Sequence, residues 1–552
     1  MENINKSLIA AIHGLYNYDY VPELTPSPTG IDADYSTNAP LKLAKVLHKS
    51  PMQIGEEIAA KLGVSVFVTK PGFLNFTLTD DYLKTAIDAL DADFTKEISS
   101  DSFKGQTVIC EFSDPNPFKV LHVGHLYTSI VGDSISRLFA YAGARVIRAN
   151  FGGDVGLHVA KTLYVLDQNH ADPATLTIDD IARSYVAGTR LYDDDGEAHH
   201  TIDLLNQQIY DINAKDLHDT DLARLYWRGR ELSYDYFKDF YASIGLKFDK
   251  YYPESTVAAL GYEKVKSELA SGVYEKSDGA VIFPGERYGL HTRVFINSHG
   301  VPTYETKDVG LIFTKWQDYH FDKSIVITGN EQTEYMKVVM KSVEQYAPEL
   351  VERTTHLTHG MVRLPGNQKM SSRHGNFLRA VDVLEMVRTE LANEYNSTDE
   401  KISLAATKYA FLKYKMGADI IFDPHASVQM TGNSGPYLLY SAVRAAKILA
   451  KPHSSETPES SKASSPLHPA ERTLMKSLTE YKATLTSALV DFAPYKVANY
   501  LYDLAQVFSR FYEACPVNGS AEETFRRELV SVYLSVMTHG LHILGTEIPS
   551  EM

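Results

Sequence analysis

Thr107–His125 reads TVICEFSDPNPFKVLHVGH. Thr107–Phe112 is a short apolar run rich in β-branched residues, the pattern of a buried strand. Ser113–Phe118 carries two prolines and continues neither a strand nor a helix. Beyond it Val131, Ile135, Leu138 and Ala142 share one helical face, and Gly143 ends the helix. A strand, a tight loop and a helix start together make a phosphate site, because the helix offers unpaired N–H groups and the positive end of its dipole. His122 and His125 are spaced to project from the first turn toward one ligand, and Gly124 lets that ligand approach the backbone.

Outward from this stretch, Arg145–Asn150 reads as the next strand and completes a βαβ unit. Gly152-Gly153-Asp154 follows at the edge where such sheets bind ligands. The expectation for residues 104–405 is a Rossmann-type α/β domain, a doubly wound parallel sheet interrupted by a helical insertion at about 157–250. Within the insertion, Asp193–His200 (DDDGEAHH) reads as a solvated loop and an acidic first helical turn rather than a metal cluster. The second half of the sheet is expected from about Ala280, with strands at Val294–Asn297, Ser324–Thr328 and His356–Leu364. A helix opening at Tyr304 puts Tyr304 and Asp308 on one face. Gly366-Asn367 begins a loop carrying Lys369-Met370-Ser371-Ser372-Arg373, and a helix runs from about Ala380.

Residues 1–103 read as a small α+β domain. Leu41–Leu62 is helical in pattern, Val64–Val68 alternates like a strand, Pro71–Phe76 turns into another, and Asp80-Asp81 caps a helix. Residues 406–552 read as an all-α bundle, with a Ser- and Pro-rich loop at about 454–469 that reads as poorly ordered.

Length bounds the answer at three or four domains for 552 residues. Hydrophobic residues make up 44% and charged residues 22%, as in ordinary globular proteins. No apolar run is long enough to span a membrane, and MENINKSLIAAIHGLYNYDY lacks the pattern of a signal peptide. Cys110 and Cys515 are the only cysteines, which fits a reducing cytoplasm and, with no C-x-x-C, argues against a thiolate zinc site. The net charge of −16, from 54 basic and 70 acidic residues, taken alone argues against a nucleic-acid partner. Basic residues confined to one face of a large enzyme escape that objection.

His122-Val123-Gly124-His125 resembles the HIGH motif of class I aminoacyl-tRNA synthetases, and the Lys369–Arg373 string resembles their KMSKS loop. Glu111-Phe112-Ser113-Asp114-Pro115-Asn116, Lys119 and the histidine motif together resemble the arginyl-tRNA synthetases over most of the chain. The resemblance implies an arginine–tRNA ligase. Its partners are L-arginine, ATP with Mg²⁺ and tRNA(Arg), with no structural metal and no membrane, and it acts as a cytoplasmic monomer. It implies catalytic roles for Lys119, His122, Gly124, His125, Lys369, Ser371 and Arg373. It implies arginine contacts at Glu111, Asn116, Tyr304, Asp308 and Gln332. It implies tRNA contacts at Phe73 and Asn75 in an elbow-binding N-terminal domain. Further tRNA contacts are implied at Tyr437, Tyr440, Arg444 and Met552, in and beyond an anticodon-binding helical bundle. Read from the residues alone, Phe73 is core, Asn75 a turn residue, Asp308 a helix cap and Glu111 the partner of a local lysine. The loop departs from KMSKS at Ser372, and in this family a lysine just before HIGH compensates; Lys119 stands there. The alternatives are another class I synthetase, a small-molecule adenylyltransferase, and a non-catalytic tRNA-binding relative.

Overall fold

The computed structural model describes residues 2–28, 30–62, 65–366, 378–452 and 467–552. The chain forms two compact units. One comprises residues 99–440, 488–499 and 540–552; the other comprises 1–98, 441–487 and 500–539.

The larger unit is built on a five-stranded parallel sheet. In chain order its strands are β1 (Thr107–Glu111), β2 (Arg145–Gly152), β3 (Lys250–Pro253), β4 (Lys323–Gly329) and β5 (Thr354–His359). Their spatial order is β5-β4-β1-β2-β3. Val108, Ile109 and Cys110 of the central strand are wholly buried, as a parallel strand covered on both faces requires. The chain winds from β1 to one edge and then returns to the other side of β1. The switch point therefore lies at the carboxyl ends of β1 and β4, where doubly wound sheets open a ligand crevice. Helix α1 (Val123–Tyr141) follows β1. Four helices, Leu157–Gln168, Ile178–Asp194, Gly196–Ala214 and Asp221–Ser243, form the insertion between β2 and β3. Asp195 caps the third of these with its own carboxylate, so the acidic cluster closes one helix and opens the next.

Helices α2 (Glu254–Ser267) and α3 (Tyr304–Tyr319) cross at a pair of glycines. A Cβ on Gly261 would sit 2.0 Å from the Thr306 carbonyl oxygen, and one on Gly310 would sit 2.1 Å from that of Val257. No other residue permits that approach, which sets α3 and its carboxylates against the crevice.

The second half of the domain departs from the sequence reading. Ala280–Phe283 and Arg293–Ile296 pair antiparallel in a separate three-stranded sheet and do not join the parallel one. The expected strand His356–Leu364 splits. Thr354–His359 stays in the parallel sheet, and Val362–Arg363 pairs with Ile420–Ile421. The end of the chain belongs to this unit, with Ser134 donating to the Ile543 carbonyl at 2.9 Å and Lys408 to that of Gly545 at 2.5 Å.

The smaller unit carries a four-stranded antiparallel sheet and helices from both ends of the chain. Leu41–Leu62 is two helices, Ala39–Leu47 and Pro51–Leu62, broken where His48 turns left-handed (φ 52°) ahead of Pro51. Thr79, not Asp80, caps the helix Asp80–Ala92; Asp80 and Asp81 fill its first turn. Buried Asp34 accepts from Arg472 at 2.8 Å, and Tyr35 donates to Glu480 at 2.6 Å. Among the described residues, no helix is long and apolar enough to cross a membrane.

Candidate active site

The loop after β1 is held in unusual backbone. Ser113, Asp114 and Phe118 all have positive φ (75°, 50° and 66°), conformations that persist only when the surroundings impose them. Three contacts do so here. Asp114 accepts the Phe151 N–H at 2.8 Å, Asn116 Oδ1 accepts the Gly153 N–H at 2.7 Å, and Ser233 Oγ accepts the Phe118 N–H at 3.0 Å. A Cβ on Gly152 would lie 2.3 Å from the Pro115 carbonyl oxygen, so the glycine allows the loop to close on β2. Because Asn116 spends its oxygen on a backbone donor, its side-chain N–H groups remain for a ligand.

The histidine motif forms the start of α1. His122 is the N-cap, and its Nδ1 accepts the Gly124 N–H at 3.1 Å. The His125 Nδ1 accepts the His122 N–H at 3.1 Å, which completes a capping box. The two rings stack with centroids 3.7 Å apart. With Nδ1 accepting in both, each ring keeps its proton on Nε2 and offers that N–H outward. Burial, with the charge of nearby Lys119, pushes His122 down to about 4, and burial pushes His125 well below the ordinary histidine range. Both are therefore neutral donors at physiological pH.

These groups line a cavity of about 720 Å³ at the switch point. Its wall includes Glu111, Asn116, His122, Gly124, His125, Tyr304, Asp308 and Gln332, so the sequence-predicted arginine contacts meet His122, Gly124 and His125 of the expected catalytic set in one place. Lys119 stands behind the motif in a smaller adjoining cavity that His122 and His125 also line. Its Nζ lies 4.8 Å from the Tyr185 ring centre. Lys369, Ser371, Ser372 and Arg373 fall outside the described residues.

The acids of the cavity divide by partner. Glu111 accepts from Lys315 at 2.5 Å, Glu254 from Lys307 at 2.6 Å, and Glu305 from Arg293 at 3.1 Å. Asp114 and Asp308 also line the cavity, and neither has a cation within ion-pair distance among the described residues. Asp308 is held by the Tyr335 hydroxyl instead. Burial, with Glu111 nearby, pushes the Asp308 carboxyl up to about 8, and burial likewise raises Asp114 well above the carboxylate range. An unpaired buried carboxyl facing a cavity is a receptor for a cation.

The two bland readings from the residues alone divide here. Glu111 does pair with a lysine, though Lys315 is remote in sequence. Asp308 caps nothing; it lies one turn inside α3, and Thr303 is the N-cap. Sequence reasoning missed Glu254, Lys307, Lys315, Arg293, Glu305, Tyr335, His359 and Asp114. The one available signal was spacing: Lys315 follows Asp308 by two helical turns and so shares its face.

The proposed tRNA contacts lie elsewhere. Asn75 is 1% exposed, and its side chain bonds Ser36, Thr69 and the carbonyls of Phe67 and Phe73. The Asn75 side chain thereby ties three strands together around half-buried Phe73. Tyr437, Tyr440 and Arg444 lie on the helix Gly435–Ala450, with the Arg444 guanidinium 4.5 Å over the Tyr512 ring. Met552 is the last residue and half-buried.

Comparison with known proteins agrees along the whole length. Residues 89–423 match the model of "tRNA synthetases class I (R), catalytic domain", residues 438–552 that of the DALR anticodon binding domain, and residues 2–78 that of the arginyl tRNA synthetase N terminal domain. An arginine–tRNA ligase of Treponema denticola is 29% identical over 537 residues, covering 91% of this chain and 90% of that protein. The solved arginyl-tRNA synthetase of Thermus thermophilus superposes with a TM-score of 0.81 at 22% identity, over the full length of both chains. That of Plasmodium falciparum gives 0.80 at 18% identity, over 100% of this chain and 99% of the other.

Proposed function

The chain belongs to the class I arginyl-tRNA synthetases, and on that premise we propose how its residues carry out the ligase reaction. The protein is an ATP-consuming aminoacyl-tRNA ligase that joins L-arginine to tRNA. In the first step a carboxylate oxygen of arginine attacks the α-phosphorus of ATP in line. The new O–P bond forms as the bond to the β-phosphate oxygen breaks, giving arginyl-adenylate and pyrophosphate. In the second step a hydroxyl of the terminal ribose of tRNA attacks the acyl carbon and AMP leaves. Neither step needs a protein nucleophile; both need positioning and donors aimed at developing charge.

In our reading the guanidinium of arginine docks on Asp308 beside Tyr304, with Glu111 and Gln332 completing that end of the cavity. The side-chain N–H groups of Asn116 hold the arginine carboxylate toward the motif. His122 and His125 donate from Nε2 to phosphate oxygens, and Gly124 clears their approach. ATP enters as its magnesium complex, the metal being part of the substrate. Lys119, with Lys369, Ser371 and Arg373 from the following loop, supplies charge to the leaving pyrophosphate. Residues 1–103, with Phe73, meet the elbow of tRNA(Arg), and residues 406–552, with Tyr437, Tyr440, Arg444 and Met552, meet its anticodon; 104–405 carry the chemistry. The protein acts as a monomer in the cytoplasm, a compartment suited to two free, buried cysteines.

One observation carries the reading. Glu111, Glu254 and Glu305 each hold a lysine or arginine, whereas Asp308, like Asp114, has no cation of its own and stands beside neutral phosphate donors. A neutral amino acid would leave that carboxyl unpaired, so rejection is steep. The test is pyrophosphate exchange and charging of total tRNA with each labelled amino acid, with tRNA present in both assays. Arginine alone should support both. Equal exchange with lysine or with a neutral amino acid would overturn the assignment.

A further inference from the structure

A second cavity, of about 400 Å³, opens farther along α1 from the active site. The two share the helix: Val123, Gly124 and Thr128 line the first, and Tyr127 and Val131 the second. We infer that this second cavity binds one nucleotide, its base among the rings of Tyr127, Tyr414, Phe492 and Tyr495 and its phosphate at Lys415. The inference rests on the ligase reading only for where that nucleotide comes from.

Three features of the cavity point to this ligand. Its walls are aromatic to a degree suited to a flat heterocycle, since stacking needs only a π-face and tolerates any base. Its charge favours an anion. Asp491, the one acid of the lining, is held by Lys496, whereas Lys415 is exposed and has no ion-pair partner among the described residues. Its inner wall has an unmet hydrogen bond. Tyr127 is wholly buried, and its hydroxyl has no partner among the described residues, although buried hydroxyls almost always find one. A base edge brings donors and acceptors to that point. The backbone is also held for the purpose, with Phe492 at φ 51°, a conformation bulky residues rarely adopt, and its ring packed on Phe139.

The position gives the site a consequence. The Tyr127 ring meets the His359 ring edge-on with centroids 4.6 Å apart, and His359 lines the active-site cavity. A nucleotide against Tyr127 therefore touches the helix that begins with His122 and, through one ring, the far wall of the active site. Bound there, an unpaired nucleotide of tRNA would report to the catalytic groups that tRNA has arrived. A free nucleoside monophosphate presents the same base and phosphate.

The test uses the whole protein with arginine and a non-hydrolysable ATP analogue filling the active site. Equilibrium dialysis measures AMP, CMP, GMP and UMP binding, and charging assays give the KM for tRNA and for arginine. The variants are Tyr495→Ala, Lys415→Ala on an exposed side chain, and Tyr127→Phe, which removes only the hydroxyl. If the nucleotide belongs to tRNA, Tyr495→Ala and Lys415→Ala each raise the tRNA KM by about tenfold or more, with the arginine KM unchanged. If it is free, a monophosphate binds the wild type and is lost in the variants while the tRNA KM holds. Wild-type protein that fails to charge tRNA yet binds a monophosphate lost in Tyr495→Ala would sink the ligase reading and keep the pocket. An unchanged tRNA KM in all three variants, with no monophosphate bound at about 1 mM, would overturn the pocket while normal charging leaves the ligase standing.

Discussion

On the wall built by the start of α1, the ionisable groups that line the cavity are bases; on the wall built by α3 they are acids. Burial drives both toward neutrality, by opposite routes. It lowers His122 and His125, so they stay uncharged across the physiological range. It raises Asp308 to about 8, so much of it is protonated at neutral pH until a cation arrives. The base wall never needs to change its charge. Its donors are fixed by backbone bonds through Nδ1 and are ready before ATP binds, which is the condition for strong transition-state stabilisation. The acid wall does change charge, and the substrate itself supplies the compensation. One wall is preorganised and the other is completed by its ligand.

Breaking the base wall should have the largest effect. His125→Ala removes a donor to phosphate and should slow adenylate formation by about a thousandfold, with arginine affinity nearly unchanged. The variant also loses half of the capping box, worth about 1 kcal/mol of stability, which a thermal melt separates from the rate. Single-turnover activation at the wild-type rate would mean that the histidine only caps its helix.

Lys119→Ala comes next. Lys119 lies near His122 but outside the main cavity, and in the proposed mechanism its charge acts as the leaving group departs. Adenylate formation should slow by about a hundredfold, and ATP binding should weaken much less. Adding Ser372→Lys should restore part of the rate, because the loop then regains the lysine that KMSKS carries. A double variant as slow as Lys119→Ala would deny that the two positions share one task.

The acid wall can be tested by pH alone. Below about pH 8 arginine must displace a proton from Asp308, so its Kd should tighten by up to about tenfold per unit as pH rises from 6, then level off above 8. The guanidinium keeps its charge throughout, so the slope belongs to the protein. Asp308→Asn should weaken arginine binding by about 2–4 kcal/mol at high pH and abolish the slope. A calorimetric titration in two buffers of different ionisation enthalpy counts the proton directly; no release at pH 7 would contradict the unpaired state of Asp308.

The base wall was legible in the sequence and the acid wall only in outline, for a physical reason. Loop, cap and helix start are local, so Thr107–His125 carries nearly all of its own geometry. The partners of the acids are remote. Glu111 meets Lys315 because β1 lies beside α3 in the finished fold, and Glu254 meets Lys307 because two glycines let α2 and α3 touch. Nothing in the string near Asp308 says that it lacks a cation while Glu111, Glu254 and Glu305 each hold one. The antiparallel pairing of Arg293–Ile296 was hidden in the same way, since a short apolar run has the same appearance in either kind of sheet. The break at His48 had a signal in Pro51, which the helical period running on across it outweighed in the sequence reading.

The smallest expected effect sharpens the comparison most. The Tyr335 hydroxyl donates to Asp308 and opposes the rise that burial imposes on that carboxyl. Tyr335→Phe removes the donor and keeps the ring under Arg293, whose guanidinium lies 5.2 Å from the ring centre. With the charged form no longer favoured, the pKa of free Asp308 should move further up. Arginine binding at pH 7 should then weaken by about fivefold, since a hydrogen bond to a charged group is worth roughly 1.5–3 kcal/mol and only part of it is lost in the difference between free and bound states. Above the new pKa the carboxyl is charged with or without the hydroxyl, so mutant and wild type should converge as pH rises. A residue that merely filled space would weaken arginine by the same factor at every pH. Parallel curves for Tyr335→Phe and wild type would therefore assign Tyr335 to packing, whereas curves that meet at high pH would identify it as the group that sets where the acid wall changes charge.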